Sequence, residues 1–444
     1  MRSLPSLALT ATIGAVGLAL APAASAATPG DSVAYLATQI EDGGNRLVVD
    51  AGGQSYDDLG LTIDAVLGMS ATGTAGDVSA AATDYVVANA GSYAGAGEEI
   101  YSAATGKLLT FASARGLDPR SVGGIDLVAQ QRSLEADTGQ FVDQSQWGDY
   151  SNTLGQSFGI IGLERAGTAP TPASVDFLLA QQCDDGGFSL EFKDGCVSDP
   201  DATSTAVQAL DLVGGHDAQV QSAADYLEGR QDGSGGVGGG ATTEGVNANS
   251  TGLAATALRI AGRDDARAQA LAYLDTLTFG CATPALVGAV AYNQADFDAA
   301  VAKGATAAPD GTITRSTAQA LLGRTDQSYA TVTSAGQSVA TPTTDCAATT
   351  PGGDNSGDTG GDTGTGVAAG TDTGSDTSTG AGDGAGDGDD ASTDQPAAQP
   401  EIPAVVQTDG AGSTTPVWAL GAGTGLLALG LTLVARRRVA VRVR

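Results

Sequence analysis

The chain has one histidine, His216, in 444 residues. Zinc held by imidazoles, or Ser–His–Asp hydrolysis, would have to run through that single side chain. It lies in Gly214-Gly215-His216-Asp217, a polar turn sequence, and no Gly-x-Ser-x-Gly elbow accompanies it. Aromatic residues are 5% of the chain, and of the two tryptophans only Trp147 lies outside a C-terminal apolar run. A ring-lined cation cage or a row of sugar platforms has little to draw on, with Trp147 and Tyr150 the one plausible platform. Bases are scarce too, at 20 Lys and Arg against 51 Asp and Glu. Arg2, Arg436, Arg437, Arg438, Arg442 and Arg444 lie outside residues 27–435 and every acid lies inside, so that stretch carries 14 bases against 51 acids, net −37. Such a field repels nucleic acid, which is excluded as a partner.

The ends of the chain read as addresses. Residues 1–26 have a basic start at Arg2, an apolar stretch over 7–21 and the small-residue site Ala24-Ser25-Ala26, as a secretory signal does. Residues 417–435 carry no charge and are followed by Arg436-Arg437-Arg438. At ~1.5 Å per residue such a helix covers roughly 28 Å, about the hydrocarbon thickness of a bilayer. The segment 416–435 is therefore expected to be a transmembrane helix, with 436–444 a short basic cytoplasmic tail. Between it and the folded part, residues 347–415 are dominated by Gly, Asp, Thr, Ser and Ala, with no Lys or Arg. That composition cannot offset chain entropy, and a disordered linker is expected. The layout describes a Gram-positive surface protein held at the membrane or the cell wall. A sortase signal would be Leu-Pro-x-Thr-Gly; the nearest stretch is Val405-Val406-Gln407-Thr408-Asp409, where only Thr408 fits.

Residues 27–346 repeat. Tyr35, Tyr85, Leu127, Phe177, Tyr226 and Tyr273 open helical segments at spacings of 50, 42, 50, 49 and 47, within the range of solenoids and closed arrays. Each is followed, after Gly or Asp-Gly signals, by a second helix of smaller residues: 62–69, 103–112, 152–163, 203–212, 250–260 and 315–322. Small side chains suit an inner ring of closely approaching helices. The class is all-α, six helical hairpins forming an α/α toroid or, alternatively, an open superhelix. Four cysteines in an exported chain point to two disulfides, Cys183–Cys196 across one hairpin loop and Cys281–Cys346 at the end of the domain. The first would contribute about 3 kcal/mol in the chain-entropy account.

One hairpin turn carries a motif. Phe177-Leu178-x3-Gln182-x3-Gly186-x-Phe188 resembles the "QW" repeat of squalene–hopene cyclases and, more loosely, the repeats of prenyltransferase β subunits and transcobalamin-like proteins. A second copy, Tyr226-Leu227-x3-Gln231-x3-Gly235-x-Val237, lacks the last aromatic. The resemblance implies the toroid, with Gln182, Gly186, Phe188, Gln231 and Gly235 as structural staples. It also offers a candidate acid. Asp199-Pro200-Asp201-Ala202-Thr203-Ser204 resembles the cyclases' Asp-x-Asp-Asp-Thr-Ala, with Ala202 in place of the third aspartate. Either Asp201, with Asp199, is a proton donor, or Asp201 caps a helix starting at Thr203. The prenyltransferase zinc ligands have no counterpart, because Thr205 and Ala206 stand where the cysteine would be. No Asp-x-Asp-x-Asp-Gly spacing marks a calcium loop, and neither metal nor cofactor is expected. The chain reads as a surface binding or interaction module for an unknown small ligand or surface partner. The alternative is an extracellular enzyme acting on an isoprenoid or a glycan through Asp201.

Overall fold

A computed structural model describes residues 27–51, 54–193, 195–240, 245–344 and 346. The expected signal segment, the linker 347–415 with Thr408, the span 416–435 and the tail lie outside the described residues. Among the described residues, no helix is long and apolar enough to cross a membrane. All of the described residues but Cys346 fall in one compact unit.

Among the described residues, fourteen α-helices are divided between an outer and an inner ring. In chain order they are α1 (Pro29–Asp42), α2 (Leu59–Thr72), α3 (Gly76–Ala88), the short α4 (Ala90–Ala94), α5 (Ser102–Arg115), α6 (Leu127–Ser133) and α7 (Thr153–Arg165). Then follow α8 (Pro172–Leu179), α9 (Pro200–Val213), α10 (Asp217–Gly229), α11 (Ala248–Ile260), α12 (Asp264–Thr276), α13 (Gln294–Lys303) and α14 (Gly311–Gly323). The inner helices are α2, α5, α7, α9, α11 and α14. Each packs on the next, and α14 packs back on α2, so the ring closes rather than opening into a superhelix. Every opening residue of the sequence repeat lies on an outer helix, and every small-residue segment lies on an inner one. Small residues at the seams let inner backbones touch: a methyl on Gly106 of α5 would lie 2.5 Å from the Gly159 amide of α7.

The sequence expectation of no strands needs one correction. Three short antiparallel pairs occur in the loops: β1 (Val48–Ala51) with β2 (Gln54–Asp57), β3 (Gly95–Ala96) with β4 (Glu99–Ile100), and β5 (Phe188–Ser189) with β6 (Ser198–Asp199). They brace turns, and Phe188 of β5 is buried in the core. Cys183 and Cys196, in the α8–α9 loop, are disulfide-bonded with their Cα atoms 5.5 Å apart. Cys281 and Cys346 are likewise disulfide-bonded and no cysteine is free, so the chain carries two disulfides.

What sets the register of the ring is a threonine near the start of most inner helices. Thr62, Thr203 and Thr251, each at the fourth helical position, donate their hydroxyls to the N-cap carbonyls of Asp58, Asp199 and Asn247 at 2.6–2.7 Å. The same oxygens accept the loop amides of Leu47, Phe188 and Val237 at 2.8–2.9 Å. Thr317 does this in α14, donating to Ile313 O and accepting from Val290 N. In α7 the carbonyl of Gln156 substitutes, accepting the Phe141 amide. Five of the six hairpin loops are thus fixed at one height on their inner helices.

The glutamines tie neighbouring hairpins. Gln182 Nε2 donates to Gly186 O in its own loop and to Gln219 O of α10; Gln231 Nε2 donates to Gly235 O and to Ala266 O of α12, all at 2.9 Å. Gly186 and Gly235 adopt φ near +90° and +86°, and a Cβ there would lie within 2.4 Å of a carbonyl of the next outer helix. A third copy with the same spacing, Glu135-x3-Gly139-x-Phe141, escapes the motif because glutamate replaces the glutamine; Gln156 makes the corresponding bonds to Gly139 O and Ser174 O. Ring closure uses this joint too, since Ser32 Oγ of α1 donates to Gly288 O at 2.7 Å.

Removing the bridging hydroxyl strands a buried loop amide. Thr203→Val and Thr251→Val are each expected to lower the unfolding free energy by about 1–3 kcal/mol, and Thr→Ser by clearly less. Urea denaturation of the variants checks this, and equal losses for Val and Ser would contradict it.

Candidate functional site

Equal heights bring six side chains to one level on the toroid axis. Two positions beyond the bridging threonine, or its Gln156 equivalent, stand Asp64, Phe158, Thr205, Leu253 and Gln319, joined by Lys107 at the same place in α5. With Leu154 and Tyr329 they line a cavity of about 20 Å³, room for one or two waters. Lys107 Nζ lies 2.7 Å from Asp64 Oδ1, both side chains no more than 5% exposed, and 5.9 Å from the Phe158 ring centroid. Moving two charges from water into a protein interior costs several kcal/mol each, and this pair offsets that cost by mutual attraction.

The axis is stopped at one end by the segment 324–340. Tyr329 rises from it against Phe158, ring centroids 4.9 Å apart, and its backbone amide donates to Gln208 Oε1 at 2.9 Å. Arg165 at the end of α7 donates to Tyr329 O and Val332 O, and burial pushes its guanidinium down to about 10. Gln337 and Ser338 complete the strap through Arg115, Thr74 and Gly73. Burial, reinforced by the negative charges of Asp64 and Asp201, pushes the Tyr329 phenol well above its usual range, so it is a neutral wall of the cavity.

Asp201 is not a cap. Helix α9 starts at Pro200 and its N-cap is Asp199, whose Oδ1 accepts the Asp201 and Ala202 amides at 2.9 Å. Proline favours the first helical position, which moves the helix start upstream of the expected Thr203. Asp201 sits one turn above Thr205, 3% exposed, with its charge felt by Tyr329, so it faces the axis. Asn249 of α11 is at the equivalent place and Arg315 of α14 also faces this level, where it pairs with Asp58 at 2.6 Å. The two candidate acids are thereby separated in role, Asp199 holding the helix and Asp201 on the axis.

Other polar and aromatic groups lie away from the axis. Asp185 accepts from Gly187 N and Ser198 Oγ, and Glu191 pairs with Lys193, both within the α8–α9 loop. His216 precedes α10 as its N-cap position without a side-chain capping bond. Trp147 and Tyr150 are exposed on the α6–α7 loop. Lys107, Asp64 and Tyr329 were missed from sequence. The available signal was a lone charge in each of two otherwise uncharged small-residue helices, α2 and the core of α5.

No family profile and no curated protein matches the chain. Solved structures do. A type II terpene cyclase, MstE from Scytonema in complex with geranylgeranyl dihydroxybenzoate, superposes with a TM-score of 0.50 at 13% identity, over 67% of this chain and 96% of that one. A protein from Actinoplanes gives 0.49 at 17% identity, over 67% and 98%, and a glycosidase gives 0.44 at 14% over 66% and 96%. At these identities the likeness speaks to fold alone: the chain has a terpene cyclase-like α/α toroid.

Because the axial pair is buried, Lys107→Met alone strands Asp64 and should cost about 3–5 kcal/mol, while Lys107→Met with Asp64→Leu should recover most of the loss. Chemical denaturation through a double-mutant cycle measures this; additive losses would contradict the pairing.

Proposed function

We propose that the chain is a binding or interaction module of the cell surface, built on a cyclase-like scaffold that does not cyclise isoprenoids. The observation that supports this is the content of the axis. Ligand pockets for molecules of drug size run to about 300–1,000 Å³, against about 20 Å³ here. Only two rings, Phe158 and Tyr329, face the cavity, and a lysine ammonium stands among them. An ammonium on the axis would repel the carbocations that such chemistry must stabilise. Asp201 on the axis is the feature that favours the alternative reading, an isoprenoid-transforming acid.

Export and anchoring belong to the same proposal: a signal over 1–26, a linker over 347–415, a membrane helix over 416–435, and attachment at the membrane or wall. The two disulfides fit an oxidising compartment outside the cytosol.

Incubation of the protein with squalene or a geranylgeranyl-bearing phenol, followed by product analysis by mass spectrometry, is expected to return the substrate unchanged. Cyclised product from the wild type, lost in Asp201→Asn with the fold intact, would overturn the proposal in favour of an enzyme.

A further inference from the structure

Trp147 and Tyr150 are the aromatic residues among the exposed large apolar side chains, 52% and 54% exposed. The loop that holds them is braced on every side. Asp143 Oδ1 accepts the amide and hydroxyl of Ser102 at 2.7 and 2.8 Å, and its Oδ2 accepts the Tyr150 amide at 3.2 Å. Asp149 accepts the amides of Asp143 and Ser151 at 3.0 Å and the Gln140 side chain at 3.1 Å. Gln144 and Ile100 exchange backbone bonds at 2.7 and 2.9 Å. Glu99 Oε1 accepts the Gln146 amide at 3.1 Å, and Tyr150 Oη donates to Trp147 O at 2.9 Å. Ser102 begins α5 and Asn152 caps α7, so the pair is fixed at the N-terminal ends of two inner helices. The backbone that carries both rings is therefore fixed, and the Tyr150 ring is tied to it through its hydroxyl, which lowers the ordering cost that a binding surface meets on association.

Size decides what they fit. A covered aromatic buries about 150–250 Å², so two half-exposed rings offer roughly 200 Å², whereas a standard protein interface takes about 800 Å² from each partner. The other exposed large apolar residues, Val197, Val301 and Val339, lie in different segments of the chain. A ligand with flat C–H faces and hydroxyl donors at its edge matches two rings beside carboxylate acceptors. Glu99 is such an acceptor, held below the usual carboxylate range first by the Ser145 hydroxyl and then by the Gln146 amide. The −37 balance of residues 27–435 disfavours an anionic ligand.

We propose that Trp147 and Tyr150 form a stacking subsite for a neutral saccharide, with Glu99 and Asp149 accepting its hydroxyls. This rests on the binding-module reading and names its ligand class. In the whole chain carrying Trp418→Phe, Trp147 is the only indole emitter. Titration with glucose and N-acetylglucosamine tetrasaccharides is expected to give a saturable blue shift for at least one of them, and a galacturonate tetramer none. By calorimetry Tyr150→Ala should weaken that binding at least about tenfold and Trp147→Ala should abolish it, with melting unchanged because both rings are exposed. No saturable response to either neutral tetrasaccharide, equal binding of the galacturonate tetramer, or unchanged affinity in Trp147→Ala would overturn the subsite. Such a failure leaves the packed axis untouched, which stands or falls on isoprenoid turnover.

Discussion

The fold depends on a hydroxyl that bonds in two directions. Placed at the fourth position of an inner helix, a threonine satisfies one carbonyl of its own N-cap and takes one amide from the incoming loop. A buried amide without a partner is costly, so each hairpin has one height at which it can dock. Thr62, Thr203 and Thr251 follow this rule, Thr317 makes the same two-way bond one turn further into α14, and Gln156 takes the loop amide in α7, so five of the six inner helices are aligned by it. Closure then needs only that the last joint meet the first, which Ser32 and Gly288 provide.

Aligned helices leave one level where six side chains must share the axis, and here the chain departs from an open cavity. Charged residues from α2 and α5, an aromatic from α7 and Tyr329 from the strap fill it. A buried ion pair is a weak source of stability compared with apolar packing, yet breaking one partner is severe. The pair therefore specifies which side chains occupy the centre more than it strengthens the ring. Asp201 faces the axis one turn above this charged pair, 3% exposed.

Much of this was legible in sequence, for physical reasons. The period of Tyr35, Tyr85, Leu127, Phe177, Tyr226 and Tyr273 and the small-residue helices between them report packing faces, and packing faces are what periodicity encodes. The Gln182 and Gln231 staples were legible because side chain, loop glycine and neighbouring helix all fall at fixed spacing. The third copy was not, since its glutamine function moved to Gln156 on another helix. Of the two readings open for Asp201, the cap fails because Pro200 takes the first helical position and passes the cap to Asp199. Lys107 with Asp64 joins residues 43 apart, and Tyr329 reaches the axis from a segment without periodicity; neither contact has a local signature.

The central claim is that the axis is packed by a buried ion pair. A crystal structure of the protein soaked in a polyprenol tests it most directly. The account predicts Lys107 Nζ and Asp64 Oδ1 within about 3 Å, Tyr329 against Phe158, and density for no more than one or two waters between them. Continuous ligand density along the axis, with Lys107 turned away or the 324–340 strap displaced, would contradict it.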